Sequence, residues 1–149
     1  MTELARLDWD GDEILMIAET EVEKTKRVNA CAKEAETAQW LREMPTTAVF
    51  WDVGANVGSY TLIACARGIR TCAFEPSIPN SIRLKENLKV NGLAADVITA
   101  PVWSEECELR FDYSSKDPGA ALHTVTKWEP PVQAEFGGMT FEVRHAYPL

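Results

Sequence analysis

Positive charge is scarce in this chain: 15 Lys and Arg stand against 23 Asp and Glu, for a formal charge of −8 over 149 residues. A phosphate-backbone partner is therefore not expected, because nucleic-acid affinity is supplied largely by a basic face. Long apolar runs are missing too. None approaches the ~20 residues that span a bilayer. The acidic start MTELARLDWDGDE has no basic segment leading into an apolar one, so neither a membrane span nor a signal peptide is expected. The cytoplasm is the expected setting. Cysteine and histidine are few. Cys31, Cys65, Cys72 and Cys107 form no C-x-x-C pair, and only His123 and His145 could join them. That leaves little for a zinc site, and the thiols read as structural. Both histidines fall in poorly patterned segments and read as solvent-exposed. Repeats and low-complexity segments are absent. What is present is 46% hydrophobic content, enough for one packed core at this length.

The first 29 residues hold one expected strand, 14–18, and a polar lead-in; residues 30–149 read as one partial domain. Ala, Glu, Lys, Gln and Leu predict a helix over 30–44, stopped by Pro45, with Trp40, Leu41 and Met44 as its buried face. Residues 48–53 are apolar and lack clean alternation, as in a central parallel strand buried on both faces. Gly54 to Gly58 break that strand, and a helix is expected from Ser59 to about Ala66. A second strand, 70–74, ends at Glu75-Pro76. A third helix, 79–90, follows with Ile78, Ile82, Leu84 and Leu88 as its apolar positions, and 95–99 reads as a third strand. Strand–helix–strand–helix–strand is the α/β, doubly wound order. Farther on, 108–113 reads as a strand and 116–119 as a turn. Residues 132–136 and 139–143 alternate around Gly137-Gly138 as a β-hairpin.

The chemistry concentrates at the first strand's end. A glycine loop between a parallel strand and a helix gathers unpaired backbone N–H groups and lets a ligand approach closely. Gly54 and Gly58 suit that approach, Ala55 adds little bulk, and Asn56 is the non-glycine type that best tolerates a left-handed backbone. Asp52 is placed to orient the loop or meet a ligand ammonium. Glu75 comes 21 residues after Gly54, close to the offset at which an acidic side chain takes the ribose hydroxyls of an adenosine ligand. Pro76 and Ser77 would lie along the adenine edge. Val102 and Trp103 would form an adenine wall, with Ser104 as a polar contact, and Tyr60 would face the ligand's other end. A dinucleotide fingerprint needs a glycine where Asn56 stands, because the backbone must meet a pyrophosphate there. S-adenosylmethionine (SAM) has no pyrophosphate, so it fits this loop better than NAD.

Three stretches carry a family resemblance: V-F-W-D-V-G-A-N-V-G-S-Y at 49–60, A-F-E-P at 73–76 and L-K-E-N-L-K-V-N-G at 84–92. Together they resemble the FkbM family of SAM-dependent methyltransferases, over roughly residues 30–110. The lead-in 33–40 is similar as well, with Ala35 where the family usually has proline. The resemblance implies a Rossmann-like class I methyltransferase fold, SAM as cofactor, and O-methylation of a sugar or natural-product hydroxyl, so a small-molecule or glycan acceptor. The family's later acidic D-x-E-G strand has no counterpart, so the chain reads as truncated after the third parallel strand and a hairpin. A cofactor-binding half, and self-association through an unpaired apolar sheet edge, are the corresponding expectations. Asp52 and Glu75 read as cofactor contacts. Glu34 and Glu36 are positioned on the lead-in helix but read as solvated, which leaves the catalytic residue unassigned. A non-catalytic SAM- or nucleoside-binding remnant or a partner-dependent subunit is the alternative.

Overall fold

In the computed structural model, residues 2–129 and 141–148 are described. Strands β1 (Leu4–Arg6) and β2 (Leu15–Ile17) pair antiparallel, and Leu7, Ile14 and Met16 beside them are fully buried. After a π-helical turn at Glu23–Arg27, the expected single helix is two: α1 (Ala30–Lys33) and α2 (Ala35–Glu43). Glu34 separates them with φ −129° and ψ 63°, a conformation no helix contains. Ala38, Leu41 and Met44 form the buried face, whereas Trp40, expected inside, is 55% exposed.

Strands β3 (Val49–Val53), β4 (Arg70–Phe74) and β5 (Asp96–Ile98) form a parallel sheet in that order, with α3 (Ser59–Ala66) and α4 (Ile78–Val90) as the connections. This is the expected α/β, Rossmann-like β-α-β-α-β unit. Its first strand departs from expectation. Phe50 and Asp52 are buried, but Val49, Trp51 and Val53 are each more than half exposed, so β3 is covered on one face only. β3 also ends the sheet: among the described residues no strand pairs with its second edge.

Helix α4 is buried through polar side chains more than the apolar pattern suggests. Ile78 and Ile82 are exposed, while Asn80 and Asn87 join Leu84 and Leu88 inside. Asn80, Leu84, Asn87 and Asn91 recur at helical spacing and share one face. Asn87 accepts from Ile17 N (2.8 Å) and donates to Val57 O (2.9 Å). Asn91 accepts from Leu15 N and donates to Leu15 O. The two amides thus substitute for a missing neighbour strand and tie β2 to the glycine loop. Such buried amides persist because each has its partners.

A second sheet has the order β6 (Val102–Trp103), β9 (Phe141–Pro148), β7 (Cys107–Asp112), β8 (Thr124–Lys127). The anticipated 132–136 arm and its Gly137-Gly138 turn lie outside the described residues. β9 pairs antiparallel with β7 and parallel with β6, a non-local arrangement that alternation alone does not announce. No helix among the described residues is long and apolar enough to cross a membrane.

Candidate functional site

The loop after β3 adopts the expected left-handed turns, with φ of 82° at Gly54, 53° at Asn56 and 93° at Gly58. Its two glycines serve different ends. A Cβ on Gly58 would stand 2.9 Å from Leu84 Cγ, so this glycine admits the close packing of α4. A Cβ on Gly54 would meet nothing within 4 Å, so that position opens onto free space.

Every backbone N–H from Gly54 to Gly58 has an acceptor within the protein. Gly54 N and Ala55 N both donate to Phe74 O (2.8 and 3.1 Å), and Gly58 N donates to Ala55 O (2.9 Å). Asn56 N donates to Glu75 Oε2 (2.7 Å) and Val57 N to Asn56 Oδ1 (3.0 Å). The loop satisfies itself because it is buried against β4, where an unpaired N–H would be costly.

Both carboxylates brace this loop. Asp52 accepts from Thr61 Oγ1 at 2.6 Å and from the Thr61 backbone N–H, anchoring the first turn of α3 to the strand. Burial lifts its pKa and those two bonds oppose the rise. Glu75 is 4% exposed, with Oε1 accepting from Ser77 N (2.8 Å) and Oε2 from Asn56 N. Burial likewise raises its pKa, against the pull of the Ser77 and Asn56 amides and the Asn80 side chain.

Gly119 and Ala120 are tied to Asn56 and Asn80, two of the groups that bond that carboxylate. Ala120 O accepts from Asn56 Nδ2 (2.7 Å) and Asn80 Nδ2 (3.1 Å), while Gly119 N donates to Asn80 Oδ1 (2.9 Å). Arg27 grips Gly119 O through Nε and Nη2 (2.9 and 2.6 Å). In this structure the Glu75 carboxylate braces the loop through the Asn56 and Ser77 N–H groups and the Asn80 side chain.

Two cavities meet at Val53 and Gly54. The larger, about 470 Å³, is lined by Asp52, Ala55, Asn56, Tyr60 and Glu34 among others. The smaller, about 200 Å³, is walled by Phe74, Pro76, Val102, Trp103 and Val125. Of the expected site residues, Asp52, Gly54, Ala55, Asn56 and Tyr60 line the first, and Gly54, Pro76 and Trp103 the second. Gly58, Glu75, Ser77 and Ser104 line neither. Ser77 is buried, and its N–H is taken by Glu75.

Tyr60 donates its hydroxyl to Ala30 O at 3.1 Å, and burial followed by the nearby Glu34 charge pushes its pKa up. Glu34, expected to be merely solvated, reaches the larger cavity because the α1–α2 break turns it there. Thr61 and Asn80 were not anticipated, since a hydroxyl in a helix and an amide on one give no local sign of their partners. His123 also differs from expectation. It is half-buried between Phe111 (5.2 Å) and Tyr113 (5.6 Å), and burial lowers its pKa. His145 is exposed as expected, between Glu106 and Glu108.

Among solved structures, the chain is similar to the Pyrococcus abyssi tRNA (uracil-54, C5)-methyltransferase in complex with S-adenosyl-L-homocysteine, at 15% identity and a TM-score of 0.48, covering 64% of this chain and 23% of that one. It is also similar to a SAM-dependent methyltransferase from Agrobacterium tumefaciens, at 14% identity and a TM-score of 0.46, covering 68% of this chain and 33% of that one. The chain thus spans a third or less of either protein's length. No family model matches the chain, and neither does any curated protein.

Proposed function

We propose that the two cavities form the cofactor and acceptor sides of a SAM-dependent O-methyltransferase acting on a sugar or natural-product hydroxyl. The observation that carries this reading is Gly54, a left-handed residue with open space where a side chain would stand, at the junction of both cavities. A ligand laid across that junction would place a flat base between Pro76 and Trp103 and its other end beside Asn56 and Tyr60. The self-satisfied loop amides suit a ligand without a pyrophosphate and count against NAD, which needs free donors there. The resemblance of residues 49–60, 73–76 and 84–92 to the FkbM family supports both the cofactor and a hydroxyl acceptor.

When bound, SAM supplies an already activated methyl group, so the protein's part is alignment, exclusion of water and handling of the acceptor proton. Of the two carboxylates lining the larger cavity, Asp52 is buried and bonded to Thr61, whereas Glu34 is exposed. In this proposal Glu34 orients the acceptor hydroxyl and takes its proton, and Tyr60 beside it fixes the carboxylate's position. Self-association through the open β3 edge belongs to the same proposal, and sedimentation velocity that gives only monomer at all concentrations would remove it.

The β3 edge, unpaired among the described residues, favours a second reading, a partner-dependent subunit or a SAM- or nucleoside-binding remnant without activity of its own. Calorimetry with SAM, its demethylated product and NAD decides the cofactor. Binding of either sulfur ligand with no response to NAD is expected; binding of NAD alone would refute the proposal. With SAM bound, Glu34→Gln should abolish transfer while leaving cofactor affinity unchanged.

A further inference from the structure

We infer that the molecule received by the larger cavity is an anionic carbohydrate, a saccharide whose ring stacks on Trp40 and Trp51 and whose carboxylate or phosphate meets Lys26 and Lys33. This inference rests on reading that cavity as the acceptor side of a methyl-transfer site.

Charge is the first observation. Acidic residues outnumber basic ones 23 to 15 in the chain, yet the cavity inverts the balance, with Lys26, Arg27 and Lys33 against Glu34 and Asp52. Asp52 is buried, and burial disfavours its charge. Lys33 lies 3.1 Å from Glu34, Arg27 is turned onto Gly119 O, and Lys26 has no ion-pair or hydrogen-bond partner among the described residues. The proposed cofactor accounts for one of these cations at most: SAM carries a single carboxylate against an ammonium and a sulfonium, so its net charge is positive and the remaining basic groups suit a second, anionic ligand. An anionic acceptor reverses that sign, and attraction of this kind is strongest in a concave, low-dielectric site.

The second observation is aromatic. Trp40 and Trp51 both line the cavity and are 55% and 53% exposed, which is unusual for such large apolar surfaces. Each indole is propped edge-on by a buried ring, Trp40 by Phe50 at 5.8 Å and Trp51 by Phe74 at 6.1 Å. Rigid rings beside polar groups suit the C–H face of a pyranose, which stacks while its hydroxyls stay wet. A polynucleotide would need a continuous basic face, which a chain of charge −8 does not offer beyond this cavity.

Calorimetry on the full chain, with and without S-adenosylhomocysteine, tests this with four probes: a galacturonic acid trisaccharide, a singly phosphorylated maltotriose, neutral maltotriose and a single-stranded oligonucleotide. At low salt at least one charged saccharide should bind about tenfold more tightly than maltotriose, a gap that narrows as salt is raised. Which of the two binds names the anion. Lys26→Ala, at an exposed position, should weaken the charged probe about three- to fivefold and leave maltotriose unchanged. Trp40→Ala, also at the surface, should weaken both. Equal binding of neutral and charged saccharides, no saccharide binding at all, or tighter binding of the oligonucleotide would each overturn the inference. If the charged saccharide binds as described but SAM does not, the methyltransferase reading fails and the carbohydrate cavity stands; the converse result removes only the carbohydrate.

Discussion

The two ends of the loop between β3 and α3 share a backbone conformation but face opposite environments. At Gly58 the left-handed turn lets Leu84 of α4 pack within van der Waals contact, and Glu75, Asn56 and Asn80 close the neighbourhood with hydrogen bonds. At Gly54 the same kind of turn opens onto two cavities. One end holds the fold together and the other leaves room for a ligand. The difference teaches that a glycine spacing describes a backbone path, while the neighbours of each glycine decide what the path is for.

Substitutions along the loop can break that contrast. The largest effect is expected from Glu75→Ala, which strips the acceptors from the Asn56 and Ser77 N–H groups in a buried setting. At about 1–3 kcal/mol for each of the two orphaned donors, destabilisation of about 2–6 kcal/mol should appear in urea denaturation. A loss under 1 kcal/mol would mean the carboxylate is not the brace described here. Gly58→Ala comes next. It combines left-handed strain of about 1–2 kcal/mol with overpacking against Leu84, for a total of about 2–4 kcal/mol. Gly54→Ala should cost only the strain, about 1–2 kcal/mol, yet weaken SAM binding at least tenfold because its methyl group enters the cavity junction. If Gly54→Ala binds SAM normally while Gly58→Ala does not, the two ends have been assigned the wrong way round.

The smallest effect lies far from the loop, at His145. Its pKa is raised, first by the Glu108 hydrogen bond and further by Glu106, against an opposing desolvation cost. A histidine with a raised folded pKa contributes stability that is fully present below the ordinary value of 6.5 and is lost as pH rises through the folded value. Hydrogen exchange in β7 and β9 should therefore quicken as pH is raised through that window, after correction for intrinsic exchange. The dependence should vanish in Glu108→Gln combined with Glu106→Gln. The parallel sheet should show no such step.

Much of the parallel unit was legible because its signals are short-range. β-Formers at 49–53, the glycines at 54 and 58, the proline at 79 and the Asn91-Gly92 stop each act on residues within a turn or two. The loop's left-handed positions and the order of β3, α3, β4, α4 and β5 followed. Burial was harder to read. Trp40 and Ile82 read as internal by type yet are exposed, while the buried Asn80 and Asn87 gave no apolar signal to be read. The site was legible to the same partial degree: Gly54, Asn56 and Asp52 line one cavity at the end of β3, while the anchoring of Asn56 uses Ala120 O, 64 residues away.

The sequence by itself determined the α/β class, the position of the loop and the type of residue at each of its turns, because backbone preference is a property of a residue and its immediate neighbours. Only the tertiary structure decided which glycine faces a cavity, which carboxylate braces the chain and which indoles remain at the surface. Those outcomes depend on segments far apart in the chain meeting one another, and a contact of that kind leaves no periodicity for the sequence to display.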